Sequence, residues 1–166
     1  EAFKRIYQAG EEGRALFVSR GDESGTHARE KLVWKLAGLD PAGRDWYIES
    51  GQGMSETLIL ASEKQAYTLS DIGTYLKLRG DGRIDLELYE IPDNVMINVY
   101  SVYLSSKCTG AEREAALDFI EFITSERGQE IIASYGVDRY GQPLFYPAMN
   151  ASIDLDEAWA YIASLG

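Results

Sequence analysis

Two hydroxyls, a glycine and a guanidinium crowd into one short stretch, Ser19-Arg20-Gly21-Asp22-Glu23-Ser24-Gly25-Thr26-His27. The apolar run before it, Leu16 to Ser19, reads as a strand. Ser24-Gly25-Thr26 then opens a segment of helical periodicity in which Ala28, Leu32, Leu36 and Leu39 share one face. The order is strand, tight charged turn, helix N-terminus. A helix N-terminus leaves backbone N–H groups unpaired and carries the positive end of the macrodipole, which together make an anion site. Gly25 has no Cβ to keep a ligand off the backbone. Ser24 and Thr26 donate O–H groups without adding charge, and Arg20 offers a planar fork of donors. These residue types in this order point to a tetrahedral oxyanion. The competing reading is that Asp22, Ser24 or Thr26 merely caps the helix, a role all three favour, and the spacing leaves both open. A P-loop of the usual form is excluded, because no Gly-Lys-Ser/Thr follows a glycine at the required distance.

Other chemistries are poorly supplied. His27 is the only histidine and Cys108 the only cysteine, so no internal disulfide can form and no metal site is expected. A catalytic Ser24 or Thr26 would need an adjacent base, and His27 sits three residues from Ser24 with no nucleophile elbow around it. His27 reads as a structural residue of the first helical turn. The net charge of -11 argues against nucleic acid. It does not bar a small anion, because distant surface charges are screened within roughly 10 Å while local dipoles act at contact. With 45% hydrophobic and 26% charged residues, the chain suits one globular unit with a real core. No apolar run approaches the ~20 residues that span a bilayer. The sequence begins at Glu1 without a signal peptide, so a mature product or a fragment is expected.

The elements that must hold the loop follow from pattern and punctuation. Glu1–Ala9 reads as a helix end with Phe3, Ile6 and Tyr7 on one side. Asp40-Pro41-Ala42-Gly43 stops the helix that begins at the loop. Trp46–Glu49 reads as a short strand, Met54–Lys64 as a helix behind Gly51-Gln52-Gly53, and Ala66–Leu69 as another strand. Ser70 or Asp71 is placed to cap a helix ending near Gly80. Ile84, Leu86 and Leu88 alternate with polar neighbours, the period of a half-buried strand. After a break at Pro92-Asp93-Asn94, Val95–Leu104 is the longest β-rich run. Gly110–Thr124 predicts a helix with Ala115, Ala116, Phe119, Ile120 and Ile123 as its apolar stripe. A second helix runs from Glu126 to Tyr135 with Gly136 as its stop, and Leu155, Trp159 and Ile162 mark a last one. Tyr135, Tyr140, Phe145 and Tyr146 read as core or packing residues. Asn150-Ala151-Ser152 matches a glycosylation sequon. Strands alternating with helices predict an α/β fold with a parallel sheet. In such sheets ligands bind beyond the carboxyl ends of the strands, where the Ser19–Thr26 loop lies.

The same residues carry a resemblance. Ser19-Arg20-Gly21-Asp22-x-Ser24-Gly25-Thr26-His27 resembles the signature of tungstate-binding proteins that serve ABC transporters. The likeness continues through Trp46-Tyr47, Gly51-x-Gly53-Met54, Ala66-Tyr67-Thr68-Leu69-Ser70-Asp71, Gly73-Thr74-Tyr75-Leu76, Asn98-x-Tyr100-Ser101-Val102 and Gly128-Gln129, covering about residues 3–147. The shorter Arg-x-Asp-x-Ser-Gly-Thr pattern is also similar to that of phosphate-binding proteins. The resemblance implies a two-lobed, periplasmic-binding-protein-like (type II) fold. Residues 17–94 would form one lobe, and 1–16 with 95–166 the carboxy-terminal parts of the other, whose amino-terminal part is missing. Val95–Leu104 would be the crossing strand, and apolar surface left uncovered would invite self-association. The implied function is non-catalytic capture of tungstate or molybdate, without a cofactor, for delivery to a membrane permease. Phosphate or sulfate on the same scaffold, a serine hydrolase and a cytosolic sensor domain are the alternatives. The expected ligand groups are Arg20, Ser24, Gly25 and Thr26, with Ser19, Thr68 and Ser70 behind them. Asp22 is expected to orient Arg20. The implied location is periplasmic or extracellular, with a membrane anchor on the full-length protein as one form of it. Relatives usually carry arginine where this chain has Ile72, which removes any contact made through that guanidinium.

Overall fold

Three short strands, each followed by a helix, make the framework of the computed structural model, which describes residues 1–91, 93–149, 151 and 154–165. In chain order the elements are α1 (Ala2–Glu11), β1 (Phe17–Ser19), α2 (Gly25–Leu36), β2 (Tyr47–Glu49), α3 (Met54–Lys64), β3 (Tyr67–Thr68) and α4 (Ile72–Gly80). A 3-10 turn (Asn94–Met96), α5 (Gly110–Thr124), α6 (Glu126–Ser134), α7 (Val137–Tyr140) and α8 (Leu155–Ser164) follow. Pro92, Asn150 and Ser152, on which the expected break and sequon depend, lie outside the described residues. Two compact units divide the chain: Glu1–Met96 with Tyr161–Gly166, and Ile97–Ala160.

In the first unit the strands run parallel in the order β2-β1-β3, with Phe17 beside Tyr47 and Tyr67, and Val18 beside Ile48 and Thr68. The α/β parallel sheet expected from the alternating pattern is present. Successive side chains of a strand point to opposite faces, and the central strand β1 is buried on both. Phe17 enters an aromatic cluster with Phe3, Trp34 and Trp46, in which Phe3 and Phe17 meet the Trp34 ring edge-on at 4.5 and 5.3 Å. Val18 goes to the other face, against Ala61 and Ala66. Burial of a ring such as Phe17 contributes about 1.5–3 kcal/mol, and each edge-on pair adds about 0.5–1.5 kcal/mol. Helices cover both faces, which explains why the strands read as short apolar runs.

The second unit is helical among its described residues. Ser125 caps α6 by accepting from Gly128 N at 3.1 Å, and Gln129 Nε2 donates back to Ile123 O at 2.8 Å. A methyl group at Gly128 would lie 2.9 Å from Ile123 Cα, so the close approach of α6 to α5 requires glycine there. No helix among the described residues is long and apolar enough to cross a membrane.

Four expectations need correction. The buried face of α2 is His27, Glu30 and Trp34, not Ala28, Leu32 and Leu36. The large indole takes the sheet-facing position and brings the carboxylate one turn before it inward. Residues 84–88 form no strand, although Ile84 is buried and Leu86 packs beside it. Their backbone is hydrogen-bonded by helix side chains instead: Tyr75 Oη donates to Leu86 O at 2.9 Å, and Asp85 N donates to Ser62 Oγ at 2.8 Å. Val95–Leu104 forms no strand: a 3-10 turn covers Asn94–Met96, and no described residue of 97–104 pairs in a sheet. The stripe of α5 and the aromatic residues near Tyr135 do not form a core: Phe119, Tyr135, Phe145 and Tyr146 are all exposed.

Candidate functional site

Because β1, β2 and β3 are parallel, their carboxyl ends lie along one edge, and α2, α3 and α4 all begin there. The three helix starts differ electrostatically. The first turns of α2 and α4 contain no acidic residue, whereas α3 carries Glu56 in its first turn. Glu56 Oε2 lies 3.0 Å from where a Cβ on Gly53 would stand, so this carboxylate folds back over the start of its own helix. An acid there offsets the local positive end of the dipole. Asp71 likewise caps α4 with a carboxylate, which leaves α2, capped by the neutral Ser24, as the start best suited to an anion, and the Gly51-Gln52-Gly53 loop acts mainly as a support.

That support is specific. Gly51 N and Ser50 Oγ both donate to Arg20 O, at 2.8 and 3.2 Å, and Ser50 Oγ shares a 2.8 Å hydrogen bond with the buried Thr57 hydroxyl. Gly21 then turns at φ +61°, and a methyl there would lie 2.9 Å from Glu49 Cβ. Positive φ and close approach together call for glycine.

Beyond the turn, Ser24 is the N-cap of α2, its Oγ accepting from His27 N at 3.3 Å. Asp22 Oδ1 accepts from Ser24 N at 3.2 Å, and the other oxygen pairs with Arg20. The Ser24 hydroxyl and amide, with the Arg20 guanidinium beside them, hold the Asp22 carboxyl at about 2. Asp22 does face Arg20, as expected. His27 is buried and its Nδ1 accepts from Glu23 N at 3.1 Å. The Glu23 carboxylate, 3.5 Å from the same nitrogen, goes to Lys31 at 3.0 Å instead. His27 thus braces the loop.

Arg20, Ser24, Gly25 and Thr26 come together on the loop and first turn of α2. Gly25 is exposed, with open space where a side chain would be. Arg20 Nε is buried without a hydrogen-bond partner, and so is Thr68 Oγ1 at the end of the adjacent strand β3. Ser70 Oγ donates to Asp71 O at 2.8 Å, while Asp71 caps α4 by accepting from Thr74 N. Ser19 is fully buried, and its hydroxyl is committed inward to Glu30 Oε2 at 2.7 Å. A hollow of about 600 Å³ on the flank of α2, lined by His27, Lys31, Trp34 and Tyr47 among others, does not include Arg20, Ser24, Gly25 or Thr26. Sequence reasoning missed Glu30. The available signal was its i,i+4 spacing to Trp34, whose indole N–H needs an acceptor when buried. No group of three or more His, Cys, Asp or Glu that could hold a metal occurs among the described residues.

Residues 1–127 match the family model described as a PBP superfamily domain. The chain belongs to the PBP superfamily. Its parallel sheet flanked by helices is that fold, and this PBP superfamily chain is similar to several known proteins. It is 41% identical over 138 residues to the tungstate-binding protein TupA of Peptoclostridium acidaminophilum, covering 82% of this chain and 47% of that one. TupA of Campylobacter jejuni is 36% identical over 136 residues, covering 80% of this chain and 50% of its own. The solved structure of the tungstate-binding protein TupA from Desulfovibrio alaskensis superposes with a TM-score of 0.70 at 34% identity, covering 88% of this chain and 58% of that chain. The chain thus spans about half the length of the relatives it matches.

Proposed function

We propose that this chain is the tungstate-binding part of an ABC-transporter substrate-binding protein, acting in the periplasm or outside the cell. It would capture the fully ionised oxyanion, with molybdate as a close second ligand, and hand it to the permease. The α2 amides near Gly25, the Ser24 and Thr26 hydroxyls and the Arg20 guanidinium would hold the anion. Thr68 and Ser70 would close the β3 side, and Ser19 would act through its place beneath Arg20. The observation that carries this reading is the pair of buried, unpartnered donors, Arg20 Nε and Thr68 Oγ1, on neighbouring strand ends. Buried polar groups are nearly always paired, so two such donors beside a helix start free of acid favour an anionic guest. The TupA names of the relatives support tungstate as that guest.

Asp22 favours a fully ionised ligand: hydrogen phosphate needs an acceptor for its proton, and the Asp22 oxygens already accept from Ser24 and Arg20. A serine hydrolase is also disfavoured, since His27 Nδ1 accepts a backbone N–H and the ring is buried. The proposed binding lobe, residues 17–94, rests on the three strand–helix units between Phe17 and Gly80. Residues 1–16 and 95–166 would be carboxy-terminal parts of a second lobe, although Phe3 of α1 packs on Phe17 and Trp34. Exposed Phe119 and Phe122 on α5 favour self-association of the isolated chain. Isothermal titration with tungstate, molybdate, sulfate and phosphate tests the assignment: heat from tungstate is expected, and heat from phosphate alone overturns it.

A further inference from the structure

The site described above has no use for Glu30, yet Glu30 is a buried carboxylate with donors from three elements. It is 2% exposed, and every group bonded to it acts as a donor. Ser19 Oγ donates to Oε2 at 2.7 Å, while Tyr47 Oη and Trp34 Nε1 donate to Oε1 at 2.7 and 3.1 Å. These three bonds join β1, β2 and α2 directly beneath the anion loop. Ser19 immediately precedes Arg20. Glu30 follows Gly25 by five residues, about 7.5 Å along the helix axis at 1.5 Å per residue.

We infer that Glu30 determines oxyanion affinity: its buried negative charge opposes the ligand, so that protonation of Glu30 and anion binding favour each other. The inference rests on the oxyanion reading above. A charge this close and this well shielded from water is weakly screened. Desolvation raises the Glu30 carboxyl above the ordinary glutamate range, against the hydrogen bonds from Tyr47, Ser19 and Trp34 and the nearby His27. The groups facing it are Ser19 from β1, Tyr47 from β2, and His27 and Trp34 from α2. Glu49 bears on Tyr47, and of the groups facing Glu30, α1 packs on the Trp34 ring through Phe3 and Tyr7. Of these, only His27 can add positive charge, so it is the rival source of any pH dependence.

The sign follows from the charges. Above its pKa, Glu30 is anionic and binding is weaker; below it, the charge is gone and binding is tighter. Glu30→Gln removes the charge with little change of shape, and the amide can keep Trp34 and Tyr47 on its oxygen while its NH2 donates to Ser19 Oγ. Sodium tungstate would be titrated into the 166-residue chain from pH 5.5 to 9, with the Gly25 amide as the NMR reporter of binding. The Trp34 indole N–H would report Glu30 ionisation independently. Expected is an affinity that falls about tenfold as Glu30 ionises, equivalent to one pKa unit of mutual perturbation. Glu30→Gln should bind about tenfold more tightly at high pH, with a flat profile. Tyr47→Phe, which removes one donor to the carboxylate, should move both the Trp34 midpoint and the binding midpoint to higher pH. A Glu30→Gln profile that keeps the wild-type slope assigns the effect to His27 and overturns the inference. Weaker binding with an unchanged slope reduces Glu30 to a structural strut and also overturns it. If the wild-type chain shows no tungstate response at Gly25, the oxyanion reading itself fails, even though the Trp34 titration persists.

Discussion

Replacing Arg20 by alanine separates the part of this residue that serves the fold from the part that serves the ligand. The backbone contribution survives, because Gly51 N and Ser50 Oγ bond the Arg20 carbonyl and not its side chain. The ion pair with Asp22 is short and local, with 17% and 22% of the two side chains exposed. Pairs near the surface contribute about 0–1 kcal/mol, so the stability of Arg20→Ala should change little. The ligand loses more. The buried Nε has nothing else to bond, and a hydrogen bond to a charged group contributes about 1.5–3 kcal/mol. That corresponds to about 10- to 150-fold in affinity. Arg20→Lys keeps the charge but not the planar fork and should fall between. Calorimetric titration with tungstate, paired with thermal unfolding by circular dichroism, reads both quantities. An Arg20→Ala affinity within twofold of wild type removes Arg20 from the site. A collapse of stability would make it a fold residue instead.

Three further outcomes are expected. Thr68→Val keeps the shape and removes a buried hydroxyl that has no partner, a group whose desolvation costs about 1–3 kcal/mol; urea unfolding should show a more stable chain, and titration a weaker anion complex. Gly21→Ala forces a side chain into φ +61° and against Glu49, so unfolding free energy should drop by about 1–3 kcal/mol, with anion affinity falling too. Asp22, held at about 2 in the folded chain against about 3.9 in an unfolded one, stabilises above the unfolded value and loses that contribution as pH falls through the folded one. Urea unfolding between pH 5 and 2 should therefore be steeper in pH for wild type than for Asp22→Asn.

Where the chain's own punctuation decides an element, the sequence was a reliable guide. Ser24, Gly53 and Asp71 stand at the caps of α2, α3 and α4, and Gly110–Thr124 is helical over the whole expected length. Failures came where partners outside the segment decide. Alternation at Ile84, Leu86 and Leu88 reports side chains packing on α3 and α4 at Ile84 and Leu86 only, Leu88 being exposed, and an extended chain achieves that without a ladder. Val95–Leu104 has strand composition but no neighbour to pair with among the described residues. The polar side of the site was half legible. Arg20, Ser24, Gly25 and Thr26 could be grouped because they are contiguous, whereas Glu30 was hidden on a helix whose apolar spacing suggested a different inward face. A buried carboxylate is legible only together with its donors, and Ser19, Trp34 and Tyr47 are scattered over three elements.

On the proposed function, the unpaired donors would also let a chain of net charge -11 hold a dianion. Long-range attraction is not available to it, so the free energy must come from groups already stripped of water and already aimed. Arg20 Nε and Thr68 Oγ1 meet that condition: folding has borne their desolvation, and neither has a bond to give up when a ligand arrives. The first turn of α2 adds amides fixed by the Ser24 cap and the His27 brace, and no acid of its own competes there. Within the loop, the Asp22 carboxylate is spent on Arg20 and Ser24. Its removal in Asp22→Asn therefore has two opposed effects on tungstate, less local repulsion and a looser guanidinium. If orientation outweighs charge, affinity falls although the site has become less negative, and titration of that variant beside Glu30→Gln, where only charge is lost, measures which of the two the loop depends on.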